Sequence, residues 1–438
     1  MSSSRIDRHL DRYAERARGM SASEIRALFA VASRPEVVSL AGGMPELAAL
    51  PLDQVAGLVA RLVSEHGRVA LQYGSGQGDP ILREGICEVM AEVGIAAHPD
   101  DVVVTTGSQQ GLDLVTRLFV DPGDVVLAEA PSYVGALGTF RSYQADVVHV
   151  AMDERGLVPS ALSAALDELA ADGRRAKFLY TVPSFHNPAG VTQPPERRAE
   201  ILDLCRAAGV LIVEDDPYGL LGFEGEPQRA MRADEVDGVV YLGSFSKTFA
   251  PGLRVGWVLA PAGVREKLVM ASEANQLCPS SFTQMTVSAF LQGHPWREQI
   301  KTYREVYRER RDAMLSALHD LMPAGTTWTV PAGGFYVWAQ LPAGLDAAAM
   351  LPRAIGERVA YVPGSAFYAH GAGADDEARR SLRLAYCYPP PEQIREGIRR
   401  LASVVEHELE VRAALGLTAA DPIAGSTASD PPAGPGLP

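Results

Sequence analysis

The sequence is short of lysine and contains no long apolar run. Lysine and arginine together number 40 among 438 residues, yet the lysines are only Lys177, Lys247, Lys267 and Lys301. No uninterrupted apolar stretch approaches the roughly 18 residues that a membrane-spanning helix needs. The N-terminal stretch is polar and charged, and it lacks the apolar centre of a signal peptide. We therefore expect a cytoplasmic protein without a membrane anchor.

Cysteine pairs and metal-binding patterns are also missing from the sequence. The four cysteines are widely separated, without a CxxC pair, and are Cys87, Cys205, Cys278 and Cys387. The nine histidines form no HxH or HExxH spacing. We expect neither a disulfide framework nor a metal site. The net charge of -14 argues against a nucleic-acid partner, because such a partner requires a basic face.

Short apolar runs alternate with helical segments from residue 101 onward. The runs are rich in valine, leucine and isoleucine and predict buried strands at Asp101 to Thr106, Val125 to Glu129, Asp146 to Val150, Lys177 to Val182, Val210 to Glu214 and Val239 to Leu242. Helical patterns lie between them, including Gln109 to Phe119 and Pro195 to Ala208. This order predicts an α/β domain with a mainly parallel sheet, in which ligands bind at the carboxyl ends of the strands.

Changes in composition divide the chain into four parts. We expect an N-terminal arm in residues 1–45, with a helix between Ser21 and Ser33, and the large domain in residues 46–289. Residues 290–415 open with a long charged helix, Trp296 to Leu321, and predict a smaller α+β domain. Its other elements are expected at Phe335 to Leu341, Val359 to Pro363, Ser381 to Cys387 and Pro391 to Leu415. Residues 416–438 are rich in alanine, glycine, proline and serine and are expected to be a disordered tail.

One of the scarce lysines lies in a serine-rich turn. The stretch Gly243 to Arg254 reads GSFSKTFAPGLR and follows the predicted strand Val239 to Leu242. This chain uses arginine for most of its positive charges, so the lysine suggests amine chemistry: a lysine amine can lose its proton and attack a carbonyl, whereas a guanidinium cannot. A solvated surface lysine is the alternative interpretation of Lys247.

Two polar turns at strand ends predict a site for an anion such as phosphate. Gly107 to Gly111 follows a strand and opens a helix, so free backbone N–H groups and the helix dipole are available there. A simple N-cap by Ser108 is the alternative. Ser244, Ser246 and Arg254 supply two hydroxyl donors and a guanidinium on the two sides of the lysine, a combination that suits a phosphate dianion.

Other polar side chains also lie at predicted strand ends or within a strand. A buried carboxylate at Asp215 requires a positive partner, such as a protonated ring nitrogen, whereas an N-cap or structural ion pair is the preferred interpretation of Asp216. Asn187 lies in the turn Pro183 to Gly190, where turn formation is the alternative role. Arg383 alternates with leucines, which suggests a clamp for a substrate carboxylate or, equally, an internal salt bridge.

These motifs, in this order, resemble the fold-type-I pyridoxal-phosphate aminotransferases of class I/II. The most similar branch contains the 2-aminoadipate and kynurenine aminotransferases. The resemblance runs from about Ser21 to about Leu401 and rests on the pattern SxSKxxxPGxRxGW around Lys247, with EDDPY and NPAG upstream. It implies an α/β fold with a large mainly parallel-sheet domain and a smaller α+β domain, bound pyridoxal 5'-phosphate, and a homodimer.

The resemblance also implies a role for each motif. Lys247 would bond covalently to the cofactor and then carry a proton between two carbon atoms, with Asp215 and Tyr218 as the other catalytic residues. Asp215 would pair with the ring nitrogen, and Arg383 would hold the substrate's α-carboxylate. The other cofactor-binding residues would be Ser108, Gln109, Tyr133, Asn187, Tyr218, Ser244, Ser246 and Arg254. The other substrate contacts would be Ser23, Arg26, Gly43, Asn187 and Tyr73, the last reaching into the partner subunit's site.

The implied reaction moves an amino group between an L-amino acid and a 2-oxo acid. Ser23 and Arg26 match the positions at which this branch binds a second carboxylate, so glutamate and 2-oxoglutarate are expected as one pair. The other substrate is expected to be aromatic, aminoadipate-like or long-chain, but residues 44–51 and 74–78 depart from the branch and leave its identity open. A β-lyase or a decarboxylating enzyme with the same cofactor is the alternative.

Overall fold

The computed structural model describes residues 9–18, 34–369 and 376–417. The helix expected between Ser21 and Ser33, with Ser23 and Arg26, lies outside these ranges, as does the expected tail from residue 418 onward. Among the described residues, every helix is too short or too polar to cross a lipid bilayer.

The chain alternates helices and strands, which are numbered here in chain order. The helices are α1 (Glu15–Arg18), α2 (Leu52–Ala70), α3 (Pro80–Ala91), α4 (Ser108–Phe119), α5 (Val134–Ser142), α6 (Pro159–Ala171), α7 (Pro195–Ala208), α8 (Ala262–Gln276), α9 (Ser281–Gly293), α10 (Trp296–Leu321), α11 (Ala347–Gly356), α12 (Asp376–Arg380) and α13 (Pro391–Ala414). The strands are β1 (Val38–Ser39), β2 (Val102–Thr105), β3 (Val125–Ala130), β4 (Asp146–Asp153), β5 (Gly156–Leu157), β6 (Ala176–Thr181), β7 (Leu211–Asp215), β8 (Val239–Ser244), β9 (Gly256–Leu259), β10 (Thr327–Trp328), β11 (Tyr336–Gln340), β12 (Val359–Ala360), β13 (Val362–Pro363) and β14 (Ser381–Ala385).

The large sheet has the strand order β2-β9-β8-β7-β6-β3-β4-β5. Its five neighbouring strands from β8 to β4 all run parallel, whereas β9 and β5 run antiparallel to their neighbours. The mainly parallel sheet expected from the sequence is therefore confirmed. Because parallel strands end at one edge, the residues that follow β3, β6, β7 and β8 meet at the same place. The strand β9 is not among the sequence predictions.

Successive residues of the central strands pack on opposite faces of the sheet, as the pleat requires. Tyr180 of β6 faces α4 and α5 and packs edge-on against Phe140. Its neighbour Leu179 faces the other way and packs with Ile201 of α7. Each fully buried side chain of this size contributes roughly 1.5–3 kcal/mol of hydrophobic free energy. Two helical layers thereby hold the strand ends in fixed positions.

A second, antiparallel sheet has the order β10-β11-β14-β13 and packs against α10 and α13. The single strand expected from Val359 to Pro363 is wrong: β12 pairs with β1, whereas β13 pairs with β14. The partner changes at Tyr361, so the run divides into two short strands. The pairing of β1 with β12 carries the segment that follows β1 toward β14, where Ala385 N–H donates to the carbonyl oxygen of Leu40.

Candidate active site

Ten of the expected site residues line one cavity of about 160 Å³ beside the large sheet. Most of them follow β3, β6, β7 or β8, and the others come from the first turn of α4 and from the approach to β9. They are Ser108, Gln109, Tyr133, Asn187, Asp215, Tyr218, Ser244, Ser246, Lys247 and Arg254. The parallel strand ends thus bring together groups that are up to 146 residues apart in the chain, from Ser108 to Arg254.

The side chain of Lys247 ends in this cavity. Its Nζ donates a hydrogen bond of 2.8 Å to the carbonyl oxygen of Gly43 and lies 5.4 Å from the ring centre of Phe335. Burial of the amine, together with the positive charges of Arg383 and Arg254, lowers the pKa of Lys247 to about 8. A fraction of the amine is therefore neutral near pH 7, which a nucleophile or proton acceptor requires.

Asp215 ends β7 as a buried carboxylate with one free oxygen. Oδ2 accepts a hydrogen bond of 2.8 Å from the hydroxyl of Tyr180, and Oδ1 has no hydrogen-bond partner among the described residues. Burial raises the pKa of Asp215 from 3.8 to about 7, and the neighbouring charge of Asp216 acts in the same direction. Asp216 instead accepts from Tyr241, which agrees with a structural role. A cationic partner at Oδ1 would restore the ionised form of Asp215.

The anion cradle lies between the start of α4 and the Lys247 turn. Ser244 and Ser246 are linked by a hydroxyl hydrogen bond of 2.9 Å, and Arg254 NH1 lies 3.3 Å from Ser246 Oγ. Arg254 adopts a left-handed backbone (φ 53°) and its NH2 donates to the carbonyl oxygen of Thr106. A Cβ atom at Gly107 would lie 2.3 Å from Arg254 NH2, so only glycine allows this approach. The hydroxyls, guanidinium and helix start together suit a phosphate group.

Arg383 of β14 is buried, and its guanidinium makes no ion pair with any carboxylate of the described chain. NH1 donates 2.8 Å to Asn187 Oδ1, and NH2 donates 2.7 Å to the carbonyl oxygen of Ala41. The rings of Tyr336 and Phe367 lie 4.3 and 5.0 Å from the guanidinium carbon. The internal salt bridge left open by the sequence is therefore absent from the described residues, and the buried cation can receive an anionic ligand.

Two predicted cofactor contacts have a local role as well. The side-chain nitrogen of Gln109 donates to the carbonyl oxygen of Gly135 and to Thr139 Oγ1, so this nitrogen faces α5. The backbone of Gln109 remains the group available to the cradle. Tyr133 occupies the N-cap position of α5 without a side-chain capping bond, and burial raises its pKa to about 12, which keeps the phenol protonated.

The remaining predicted residues lie around or outside the cavity. Gly43 accepts from Lys247, and a Cβ atom there would lie 2.0 Å from the hydroxyl oxygen of Tyr336. Tyr73 lies between α2 and α3, is 77% exposed and does not line the cavity of its own chain. Ser23 and Arg26 lie outside the described residues.

Sequence reasoning missed Tyr336, which lines the cavity at the start of β11. Its hydroxyl lies 3.4 Å from that of Tyr218, and its ring packs against the guanidinium of Arg383. The sequence signal for this position was the Gly333-Gly334 pair directly before an aromatic strand. Because these two residues have no side chains, Phe185 can pack closely beneath them.

Residues 35–401 match the family model for aminotransferase class I and II. This chain belongs to the class I and II aminotransferases. The aminotransferase is 41% identical over 400 residues to aromatic-amino-acid aminotransferase 1 of Thermococcus litoralis, a match that covers 91% of this chain and 95% of that protein. The resemblance stated from the sequence is confirmed.

Two solved structures show the same fold. The crystal structure of Pyrococcus horikoshii kynurenine aminotransferase, in complex with PMP and with KYN and KYA as substrates and products, has a TM-score of 0.86 and 39% identity, covering 91% of this chain and 97% of that chain. The alpha-aminoadipate aminotransferase of Thermus thermophilus, complexed with N-(5'-phosphopyridoxyl)-L-leucine, has a TM-score of 0.83 and 37% identity, covering 92% and 99%. The aminotransferase is a transaminase that depends on pyridoxal 5'-phosphate.

The residues of the cavity suit this cofactor. The unpartnered Oδ1 of Asp215 can accept from a protonated ring nitrogen, and the Ser244, Ser246 and Arg254 cradle can bind the phosphate. Lys247 supplies an amine of lowered pKa for the aldehyde. When bound, pyridoxal 5'-phosphate supplies an aldehyde that condenses with amines and a ring that stabilises negative charge at the substrate's α-carbon.

The lowered pKa of Lys247 predicts a pH dependence for cofactor uptake. Only the neutral amine attacks an aldehyde, so the rate of covalent capture by cofactor-free protein should rise about tenfold per pH unit below pH 8 and level off above it. Stopped-flow absorbance measures this rate. Pyridoxamine 5'-phosphate, which has no aldehyde, is the control. A capture rate that stays constant between pH 6 and 8 would contradict the role of the Lys247 amine.

Proposed function

We propose that this aminotransferase moves an amino group between a large L-amino acid, either aromatic, aminoadipate-like or long-chain, and a 2-oxo acid. Glutamate and 2-oxoglutarate form one of its pairs. The observation that carries this proposal is that the Lys247 amine and the unpartnered Asp215 oxygen line one cavity, and that Arg383, which pairs with no carboxylate of the described residues, donates to Asn187 of the same lining. The names of the relatives, which include aromatic, kynurenine and aminoadipate aminotransferases, support the substrate class. No observation favours a lyase or a decarboxylase.

Each side chain has a defined task in this proposal. Arg383 binds the substrate's α-carboxylate, for which its two terminal nitrogens provide a bidentate fork. Gly43 lies against the substrate. The hydrogen bond from Lys247 Nζ to the carbonyl oxygen of Gly43 breaks, so that the amine can react. The neutral Nζ of Lys247 removes the proton from the substrate's α-carbon. It then delivers the proton to the carbon atom that carried the cofactor's aldehyde. Asp215 stays ionised and holds a proton on the ring nitrogen opposite it.

Three other side chains orient the cofactor in this proposal. Asn187 and Tyr218 donate hydrogen bonds to the oxygen on the cofactor ring, and Tyr133 covers one face of the ring. Asn187 Oδ1 is occupied by Arg383, so its amide nitrogen is the group available for that oxygen. The cofactor's ring and the substrate's carboxylate are therefore held by groups that touch each other.

Half-reactions with a panel of amino acids test the substrate class. Phenylalanine, kynurenine, 2-aminoadipate, leucine and glutamate are each mixed with holoenzyme, and loss of the cofactor's visible absorption is followed. We expect turnover with glutamate and with at least one large substrate, and matching 2-oxo acids as products. Pyruvate or ammonia formed without an amino product would instead identify a lyase.

Substitution of Arg26 by alanine should raise KM for glutamate more than for leucine, because only glutamate has a second carboxylate.

We also infer a cytoplasmic homodimer in which Tyr73 completes the partner's site. Large apolar side chains are exposed shortly before Tyr73 and along the second half and C-terminal end of α8, namely Val69, Leu71, Met270 and Leu277. The two regions touch, because the N–H of Gly74 donates to Cys278 Sγ. Exposed apolar patches of this kind support a protein interface. The partner's Tyr73 would then add a substrate contact to the site, as the resemblance implies.

Mixed dimers test the shared site. Tyr73→Ala and Lys247→Ala homodimers should each be nearly inactive, since every site lacks one required group. After subunit exchange, half of the dimers are hybrids with one intact site, so about a quarter of wild-type activity should return. Tyr73→Phe in the same exchange distinguishes the ring from the hydroxyl. Failure of the mixture to regain activity, with exchange verified by mass, would show that Tyr73 acts within its own chain or not at all.

A further inference from the structure

Asn187 is presented by a loop whose two ends are joined from the α7 side. The loop runs from Pro183 to Gln193, and the N–H of Gln193 donates 2.9 Å to the carbonyl oxygen of Pro183. Arg198 of α7, itself buried, donates through Nε to the carbonyl oxygen of Gln193 and through NH2 to that of Pro183. This segment, called here the Asn187 loop, is therefore closed at its base.

A buried carboxylate anchors the same loop from the strand side. Glu129, near the end of β3, has no solvent exposure. Its Oε1 accepts from Thr181 Oγ1 at 2.7 Å and from Gln193 Nε2 at 2.8 Å. Its Oε2 accepts from the N–H of Val182 at 2.8 Å and lies 3.1 Å from His186 Nε2. Three hydrogen-bond donors and the His186 ring thus surround a carboxyl group that has no access to water.

His186 connects this carboxylate to Asn187, the next residue in the chain. Its Nδ1 accepts from the N–H of Ala189 at 3.2 Å, so in the neutral ring the proton is on Nε2, the nitrogen that faces Glu129. The Nε2 contact is short but too bent for a full hydrogen bond, and the attraction is mainly electrostatic. Backbone bonds to Val191 and Gly190 fix the rest of this residue. The position of Asn187 therefore depends on His186, and that of His186 on Glu129.

The loop also stores backbone strain directly before His186. Phe185 has a φ of 52°, which is rare for a bulky residue and costs on the order of 1–3 kcal/mol. Its N–H donates to Thr192 Oγ1, and its ring packs beneath Gly333 and Gly334. A strained conformation persists only when surrounding contacts maintain it, and the buried charges at the loop base are such contacts.

We propose that Glu129 is a positioning residue for transamination, which acts through His186 to hold Asn187 in contact with Arg383. The proposal rests on the proposed function, in which Asn187 binds the cofactor and Arg383 binds the substrate. Since Arg383 NH1 and Asn187 Oδ1 are 2.8 Å apart, a shift of the loop changes both binding groups at once. Glu129 touches neither ligand.

Two substitutions at Glu129 test whether its hydrogen bonds to the Asn187 loop position that loop. Glu129→Ala removes all four contacts of this carboxyl group, whereas Arg198 and the 3.0 Å hydrogen bond from Gln193 Nε2 to Thr181 Oγ1 remain at the loop base. Glu129→Gln keeps an oxygen for Val182 and His186. Once the Gln193 amide flips, the new amide nitrogen can donate to Gln193 Oε1, a buried atom with no hydrogen-bond partner among the described residues. The glutamine variant should therefore rescue the position of the loop.

We expect Glu129→Ala to raise KM for the amino acid about tenfold or more, with a smaller change in kcat. A displacement of about 1 Å in a binding group is enough to weaken substrate binding by this factor. The pH midpoint of the holoenzyme's visible absorption should shift as well, since Asn187 borders the cofactor's ring oxygen. Glu129→Gln should stay within about threefold of wild type in KM. Tyr361→Phe, which removes a buried hydrogen bond to Ala347, controls for loss of stability alone.

These experiments distinguish failure of the Glu129 proposal from failure of the proposed function. Wild-type KM and absorption titration in folded Glu129→Ala would overturn the positioning role. If that variant does not fold, His186→Phe replaces it, because the other three donors to Glu129 remain; wild-type values there would also overturn the role. An Asn187→Ala variant with unchanged KM and absorption would instead refute the proposed function of Asn187 itself.

Discussion

Replacing Lys247 with alanine is expected to lower kcat for transamination by about four orders of magnitude or more. In the proposed mechanism, the variant loses both the amine that reacts with the aldehyde and the base that moves the α-proton. The cradle and Asp215 remain, so the cofactor should still bind without a covalent link. Single-turnover production of 2-oxo acid measures the loss, and the absorption spectrum measures cofactor retention.

Lys301→Ala is the matched control for this experiment. Lys301 lies on α10, is exposed and pairs with Glu298 at 2.8 Å, outside the cavity. Its removal should leave kcat unchanged, because exposed ion pairs contribute little. Addition of a small primary amine should restore part of the lost rate in Lys247→Ala by supplying a diffusible base. Steady transamination by Lys247→Ala without such an amine would refute the role of Lys247.

Asp215→Asn should have the second-largest effect, with kcat lower by about two to three orders of magnitude. Asparagine has nearly the same shape and still accepts from Tyr180, but it cannot hold a proton on the cofactor's ring nitrogen. The ring then stabilises negative charge less well. Substrate KM should change little, because Arg383 is untouched. Equal kcat in the variant and the wild type would remove Asp215 from the mechanism.

The same substitution should have a distinct effect on the cofactor-free protein. The pKa of Asp215 is raised from 3.8 to about 7 in the folded state, so the folded protein binds this proton more tightly than the unfolded chain. The contribution of Asp215 to the free energy of unfolding is therefore fully present below about pH 4 and is lost as pH rises through 7. Asp215→Asn should flatten that part of the stability profile, measured by denaturant unfolding between pH 4 and 8. A profile identical to that of wild type would show that Asp215 is not desolvated.

The central fold was predictable because buried parallel strands are continuous apolar runs between helices. All six expected strands of the large sheet end no more than three residues from their expected limits. The antiparallel β9 was missed because Gly256 to Leu259 is only four residues long and is separated from the Lys247 turn only by the three-residue 3-10 helix Pro251–Leu253. The division of Val359 to Pro363 depends on which distant strands pair with each half, and no local pattern records that. The domain limits at residues 45, 289 and 415 stay predictions.

The candidate site was predictable where its residues follow parallel strands. Asp215 and Lys247 follow neighbouring strands, so their meeting follows from topology. Arg383 and Gly43 come from β14 and the segment after β1, and their approach to the cavity depends on packing between the two sheets. Glu129 is a single charge in an apolar strand, a pattern that is visible in the sequence, but its partners become apparent only when the Asn187 loop is folded.

The segment from Ala41 to Gly43 connects Arg383 with Lys247. The carbonyl oxygen of Ala41 occupies a donor of Arg383, and that of Gly43 occupies the amine of Lys247. In the proposed function these peptide oxygens occupy the groups that the ligands would use, so a substrate carboxylate arriving at Arg383 would compete with the first. The two carbonyl groups are only two residues apart, so we expect displacement of one to weaken the hydrogen bond of the other. If carboxylate binding at Arg383 weakens the hydrogen bond between Lys247 and Gly43 by some factor, loss of that hydrogen bond must strengthen carboxylate binding by the same factor.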